Sequence, residues 1–208
     1  MEKNPAGPYG LVGAVLAAGL GRRFGRPKLD LPAAGHALIH WPVQAALDAG
    51  LGKVMVVTGP SSDLDRLVPA DSRLEILRNP RPEGGMGTSL ALAARRSQEL
   101  GAEVLVVLLG DMPLVRAETV RQVARAALLS PSGAAAARAA ERLAHPVAFA
   151  QRHLDRLAQL QGDVGGRGLL EELQGCLAMV EAPALSLWDV DTPEDLARVR
   201  KILERPFS

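Results

Sequence analysis

Three short apolar runs constrain the fold of this chain more than any other feature: 12–16 (VGAVL), 53–58 (KVMVVT) and 104–109 (VLVVLL). None alternates strictly between apolar and polar residues, so each reads as a strand buried on both faces. Strands of that kind belong to parallel sheets covered by helices. The spacing between them predicts helices over 37–49, 89–100 and 118–128, the first with Leu38, Ile39, Trp41, Val43, Ala46 and Leu47 on a broad apolar face. Residues 74–77, 134–139, 147–150 and 177–181 read as further strands, and 62–67, 153–160 and 167–173 as short helices. A closing helix over 194–203 has Pro193 at its start. Strand and helix in alternation predict an α/β fold, with a mostly parallel twisted sheet and helices on both faces. No linker or internal repeat divides it, so 11–208 is expected to be one domain and 1–10, polar with Pro and Gly, a flexible tail.

Composition narrows the function classes. At 208 residues the chain can bury one substantial core. A net charge of +1 leaves no general basic face for nucleic acid, and three Phe, two Trp and one Tyr offer little for base stacking. Cys176 is the only cysteine, so no internal disulfide forms. Near a strand start it is expected to be a small buried hydrophobe. The four histidines have no zinc-ligand spacing with it. No apolar run reaches the roughly 18 residues of a membrane span, and the first residues lack a signal-peptide core. The expectation is a cytoplasmic protein with neither nucleic acid nor membrane as partner.

Ligands of open α/β sheets bind beyond the C-terminal ends of the strands, and three unusual turns follow strands here. In 17–28, Gly19, Gly21 and Gly25 are interleaved with Arg22, Arg23, Arg26 and Lys28. Exposed backbone amides among that many cations make an anion site that suits a triphosphate. A dinucleotide fingerprint would need a third glycine where Phe24 stands and a strand-end acid where Asp48 sits late in a helix. A P-loop would need Gly-Lys followed by Ser or Thr, but Lys28 lies between Pro27 and Leu29. A turn carrying solvated arginines also fits the pattern. The second turn, 79–89, holds Asn79-Pro80 and Gly84 to Ser89; Ser89 can equally be a helix N-cap. In the third, Asp111 follows six apolar residues and Gly110. A carboxylate there is costly unless solvated, paired or bound to a cation, and a helix N-cap is the other reading. A last acidic cluster, 189–195, fits either helix capping or cation binding.

These segments, in this order, resemble a known family. LAAGLGRRFGRPK (16–28) is similar to the L-A-A-G-x-x-x-R-x-G-x-x-K loop of nucleotidyltransferases related to the molybdenum-cofactor enzymes, where the loop wraps the nucleoside triphosphate. LLGDMPLV (108–115) resembles their G-D-M-P motif, whose aspartate holds Mg²⁺. DVDTPEDL (189–196) resembles a run whose aspartate before Thr-Pro approaches that metal, and Arg78-Asn79-Pro80 with Gly84 to Ser89 a segment whose serine and glycine backbone meet base and ribose. His145 to Phe149 and Gly162 to Leu170 resemble an acceptor-side signature, although His145 stands where Asn or Gly is common before Pro. A Gly-rich loop with a structural Asp–Arg pair is the alternative for the latter. The L-A-A-G form is that of CTP:molybdopterin cytidylyltransferases; the guanylyl enzymes carry L-A-G-G.

The resemblance implies a Rossmann-like nucleotidyltransferase domain of the nucleotide-diphospho-sugar transferase type. It implies transfer of CMP from CTP to the terminal phosphate of molybdopterin, giving the cytosine dinucleotide cofactor and pyrophosphate, with Mg²⁺ as cofactor. It gives catalytic roles to Arg23, Lys28 and Asp111, and metal binding to Asp111 and Asp191. Nucleotide binding falls to Leu16, Ala17, Ala18, Gly19, Gly21, Arg22, Arg23, Lys28, Asn79, Gly84, Ser89 and Asp111. Acceptor binding falls to Pro146, Gly162, Asp163, Gly165 and Arg167. A molybdoenzyme or its maturation chaperone is the implied partner. Two other functions stay open: a guanylyl- or other nucleotidyltransferase acting on another phosphorylated acceptor, and a non-catalytic nucleotide- or cofactor-binding chaperone. The intact carboxylates and Lys28 argue against the second.

Overall fold

The computed structural model describes residues 10–19, 27–163 and 165–204. Its centre is a seven-stranded sheet. β1 (Leu11–Ala17) lies between β4 (Lys53–Thr58) and β6 (Val104–Leu109), parallel to both, and β5 (Leu74–Arg78) extends the sheet beyond β4 in the same sense. On the other side come β8 (Arg142–Ala150), β7 (Ala134–Ala139) and β9 (Ala178–Glu181), for an order β5-β4-β1-β6-β8-β7-β9. The expected α/β fold with a mostly parallel sheet is therefore present, with one departure: β8 runs antiparallel to both β6 and β7. Only Ala140 and Glu141 separate β7 from β8, and so short a connection can join only antiparallel strands. β8 also begins at Arg142, well before the expected 147, because its first residues pair with the end of β7.

Strand residues alternate between two cores, one on each face. Val15, Val54, Val56, Val104, Val106 and Leu108 face α1 (His40–Asp48) and α3 (Ala117–Leu129). Val12, Ala14, Leu16, Met55, Val57, Leu105 and Val107 face α2 (Met86–Glu99), α4 (Leu154–Leu157) and α5 (Arg167–Glu172). Both faces of the central strands are covered, which is why their sequences are apolar throughout.

Several bounds move. Residues 37–39 precede α1 instead of belonging to it, because Pro32–Ala33 (β2) and His36–Ala37 (β3) pair as a small antiparallel ribbon. The expected helix at 62–67 is one 3-10 turn, Leu64–Arg66, and that at 153–160 shortens to α4 after a 3-10 turn. The closing helix is α6 (Pro193–Leu203). Cys176 is exposed in the turn between α5 and β9, not buried as expected; β9 begins only at Ala178. The expected tail loses its last residue: the Gly10 carbonyl accepts from the amides of Glu103 and Val104, while 1–9 lie outside the described residues. Among the described residues no helix is long and apolar enough to cross a membrane.

Candidate active site

The parallel arrangement of β1, β4, β5 and β6 brings the turns that follow them to one edge of the sheet. An open cleft of about 960 Å³ lies there. Leu16, Ala17, Ala18, Gly19 and Lys28 line it from the first turn, Ser89 from α2, and Asp111 from the turn after β6. Asp163 and Asp191 complete the expected residues on its wall. Gly21, Arg22 and Arg23 lie outside the described residues.

One ammonium organises the cleft floor. Lys28 Nζ lies 2.8 Å from Asp111 Oδ2 and 3.0 Å from Asp191 Oδ1, and donates to the Val190 carbonyl at 2.6 Å. Burial pulls the Lys28 pKa down, but the charges and hydrogen bonds of Asp111 and Asp191 outweigh it and leave the ammonium more firmly protonated than usual. Backbone bonds set these groups in place. The Gly110 amide donates to the Leu16 carbonyl at 3.0 Å, tying the end of β6 to β1, and the Val190 amide donates to the Asp111 carbonyl at 2.9 Å. Asp111 caps no helix, since α3 starts at Ala117. Asp191 stands just ahead of the N-cap of α6. That cap is Thr192, in a reciprocal box with Asp195, whose Oδ2 accepts from the amides of Asp191 and Thr192 and from the Thr192 hydroxyl. The Thr192 hydroxyl and these amides hold the Asp195 carboxyl below its ordinary pKa.

The 79–89 turn has a different internal logic. Asn79 is buried and faces its own turn: its amide donates to Thr88 Oγ1 at 2.8 Å and Ser89 Oγ at 2.9 Å, and its carbonyl accepts from the Arg81 amide. Ser89 lies inside α2, which starts at Met86, so it is no N-cap. Neither Asn79 nor Gly84 lines the cleft; Gly85 does, and sequence reasoning passed over it. Gly85 has φ +86°, and a Cβ there would come within 2.4 Å of Asp163 Oδ1 and 2.5 Å of the Gly162 carbonyl carbon. The only signal was the Gly-Gly pair before Met86. The Gly87 amide donates to the Gly162 carbonyl at 2.8 Å, so the turn after β5 is bonded to the Gly162–Asp163 loop.

A second cavity of about 600 Å³ adjoins the first, with Leu16 and Met86 in the wall of both. Arg167 and His145 line it, whereas Pro146, Gly162 and Gly165 line neither cavity. Pro146 is buried after a cis peptide bond. The residues expected on the acceptor side are thus divided, Asp163 on the first cleft and Arg167 on the second. Arg167 pairs with Glu171 at 2.7 Å and not with Asp163, which removes the structural Asp–Arg pair as an explanation of this loop.

Known proteins share this sequence and this fold. Along its length the chain is 30% identical over 205 residues to the purine catabolism protein PucB of Bacillus subtilis, covering 94% of this chain and 98% of PucB. It also matches the bifunctional protein GlmU of Geobacter metallireducens, 35% identical over 116 residues, but spans only 24% of that longer protein. Among solved structures, Rv0371c of Mycobacterium tuberculosis in complex with manganese superposes with a TM-score of 0.73 at 26% identity, over 92% of this chain and 97% of that one. A nucleotidyl transferase of Methanothermobacter thermautotrophicus, Mth528, superposes with a TM-score of 0.76 at 25% identity, over 93% and 97%. The family model of the MobA-like NTP transferase domain matches residues 13–176. On that match, and on a sheet edge that gathers the same motifs into one cleft, the chain belongs to the MobA-like NTP transferase family.

Proposed function

We propose that the protein transfers CMP from CTP to the terminal phosphate of molybdopterin, releasing pyrophosphate. The observation that carries the reading is the cluster of Lys28, Asp111 and Asp191 on the floor of a nucleotide-sized cleft at the C-terminal strand ends. An acceptor phosphate oxygen bonds to the α-phosphorus of CTP, and the bond from that phosphorus to the pyrophosphate oxygen breaks. The attacking phosphate is already an anion near neutral pH, so no general base is needed, and no histidine lines the cleft among the described residues. Catalysis then rests on positioning and on neutralising charge. Backbone amides of the 17–28 turn and Lys28 hold the triphosphate, with Arg22 and Arg23 as further cations.

Asp111 and Asp191 suit Mg²⁺, a hard cation that takes a few carboxylate oxygens and completes its sphere with phosphate and water. Lys28 Nζ stands in for such a cation, within 3.0 Å of both carboxylates. Bound there, Mg²⁺ would neutralise the charge that builds on the phosphates. That Rv0371c, a neighbour in fold, forms a complex with manganese supports a divalent ion in a protein of this fold. Ala18, nearly buried beside the cleft, supports cytosine: its methyl takes space that a purine would need.

The test is pyrophosphate release from each of the four nucleoside triphosphates, with and without molybdopterin. Release is expected with CTP and only with the acceptor present. Release with GTP instead would transfer the reading to the guanylyl enzymes, and no release with any triphosphate would end it.

A further inference from the structure

His145 is the one titratable side chain deep in the second cavity to which the proposed reaction gives no part. Its ring lines that cavity, and its Nδ1 lies 3.2 Å from the Val107 carbonyl oxygen. A carbonyl can only accept, so Nδ1 carries the proton. Burial pushes the imidazole pKa down, against smaller upward pulls from the Val107 carbonyl and Asp111, so the ring is neutral near pH 7. In a neutral ring with Nδ1 protonated, Nε2 is a bare acceptor. No side chain of the described residues donates to it, yet no buried side-chain nitrogen or oxygen among them lacks a partner. Nε2 is therefore open to the cavity that the ring lines.

The rest of that cavity is built for a flat apolar face. Leu16, Leu90, Val107, Val147 and Leu170 wall it, with Arg142 and Arg167 among the charged groups at its edge. A fused heterocycle bearing N–H groups along one edge matches apolar walls with an imidazole acceptor among them, Glu141 and Glu171 standing with the two arginines around the cavity.

We propose that His145 is a specificity-determining residue of the acceptor side, its Nε2 accepting a hydrogen bond from a ring N–H of a planar heterocycle such as a pterin. This rests on the transferase reading only in taking the second cavity as the acceptor side. The chemistry explains why a histidine can stand before Pro146: an asparagine reaches Val107 but ends short of the cavity, whereas the imidazole does both.

The probe is 6-hydroxymethylpterin, titrated by its own fluorescence against the full chain, with its N3-methyl analogue as the ligand that lacks the ring donor. His145→Asn keeps a donor for Val107 and loses the reach; His145→Gln restores an acceptor at about the distance of Nε2. N3-methylation is expected to weaken binding to the parent about tenfold, the scale of one hydrogen bond left unmade. His145→Asn is expected to bind both ligands equally, with the parent's melting temperature, and His145→Gln to recover much of the discrimination. Equal discrimination by parent and His145→Asn, or failure of the parent to bind the pterin, would overturn the proposal. His145-dependent pterin binding without CTP turnover would leave it standing and end the cytidylyl reading; CTP turnover without His145-dependent discrimination would do the reverse.

Discussion

At Lys28 the chain holds one ammonium against two carboxylates and a carbonyl, and all three partners come from segments more than 80 residues away. Removing one carboxylate leaves the ammonium its other partners, so Asp111→Ala is expected to fold while losing at least about 100-fold in kcat, the scale of a main electrostatic stabiliser. Turnover at the parent rate by a folded Asp111→Ala protein would remove Asp111 from the chemistry. Ala18→Gly is expected to narrow the ratio of kcat/KM for CTP over GTP without inverting it, because a methyl-sized difference is worth only about 1–3 kcal/mol. An unchanged ratio would place base selection elsewhere. Asp111 was legible because an apolar strand stops abruptly at a carboxylate, and Lys28 because it closes a turn dense in glycine and arginine. Asn79 was less so: its amide serves Thr88 and Ser89, and sequence does not tell a side chain that faces a ligand from one that ties its own turn.

The elements matter here for how they hold the ends of loops. The capping box of α6 fastens the backbone of Asp191 and Thr192 to one carboxylate, Asp195. Asp195→Ala is expected to cost about 1 kcal/mol of stability, the usual worth of a helix cap, and to weaken Mn²⁺ binding through misplacement of Asp191. The Asp195 pKa is depressed in the folded chain, so its contribution is present above the unfolded carboxylate pKa and fades as pH falls through the folded value. Urea titrations across acid pH are expected to show parent and variant converging at the acid end; a constant gap would contradict that linkage. Gly85 ties the other two loops. Gly85→Ala forces a side chain into φ +86° and against the Gly162 backbone, and is expected to lower the melting temperature and raise KM for both substrates. The spans of β4, β6 and β7 could be read from their apolar runs, whereas the ribbon of β2 and β3 could not, since two-residue strands carry no periodicity.

At the scale of the molecule, four parallel strands deliver nucleotide-side turns to one edge, and the antiparallel β8 carries His145 and the wall of the second cavity to the same edge. The parallel half follows from strands apolar on both faces. The reversal at β8 depends on a turn of two residues, Ala140 and Glu141, with no Asn-Gly or Asp-Gly to announce a hairpin. Leu16 and Met86 stand in the wall of both cavities, so on the proposed reading a nucleotide in one lies within reach of an acceptor in the other. Transfer between the two is the central claim, and isotope partition tests it most directly. With molybdopterin and CTP labelled at either the α- or the γ-phosphorus, the α-label is expected in a pterin product enlarged by one CMP, and the γ-label in pyrophosphate, in equal amounts. An α-label that stays in free CMP or CDP, with the pterin unchanged, would contradict it.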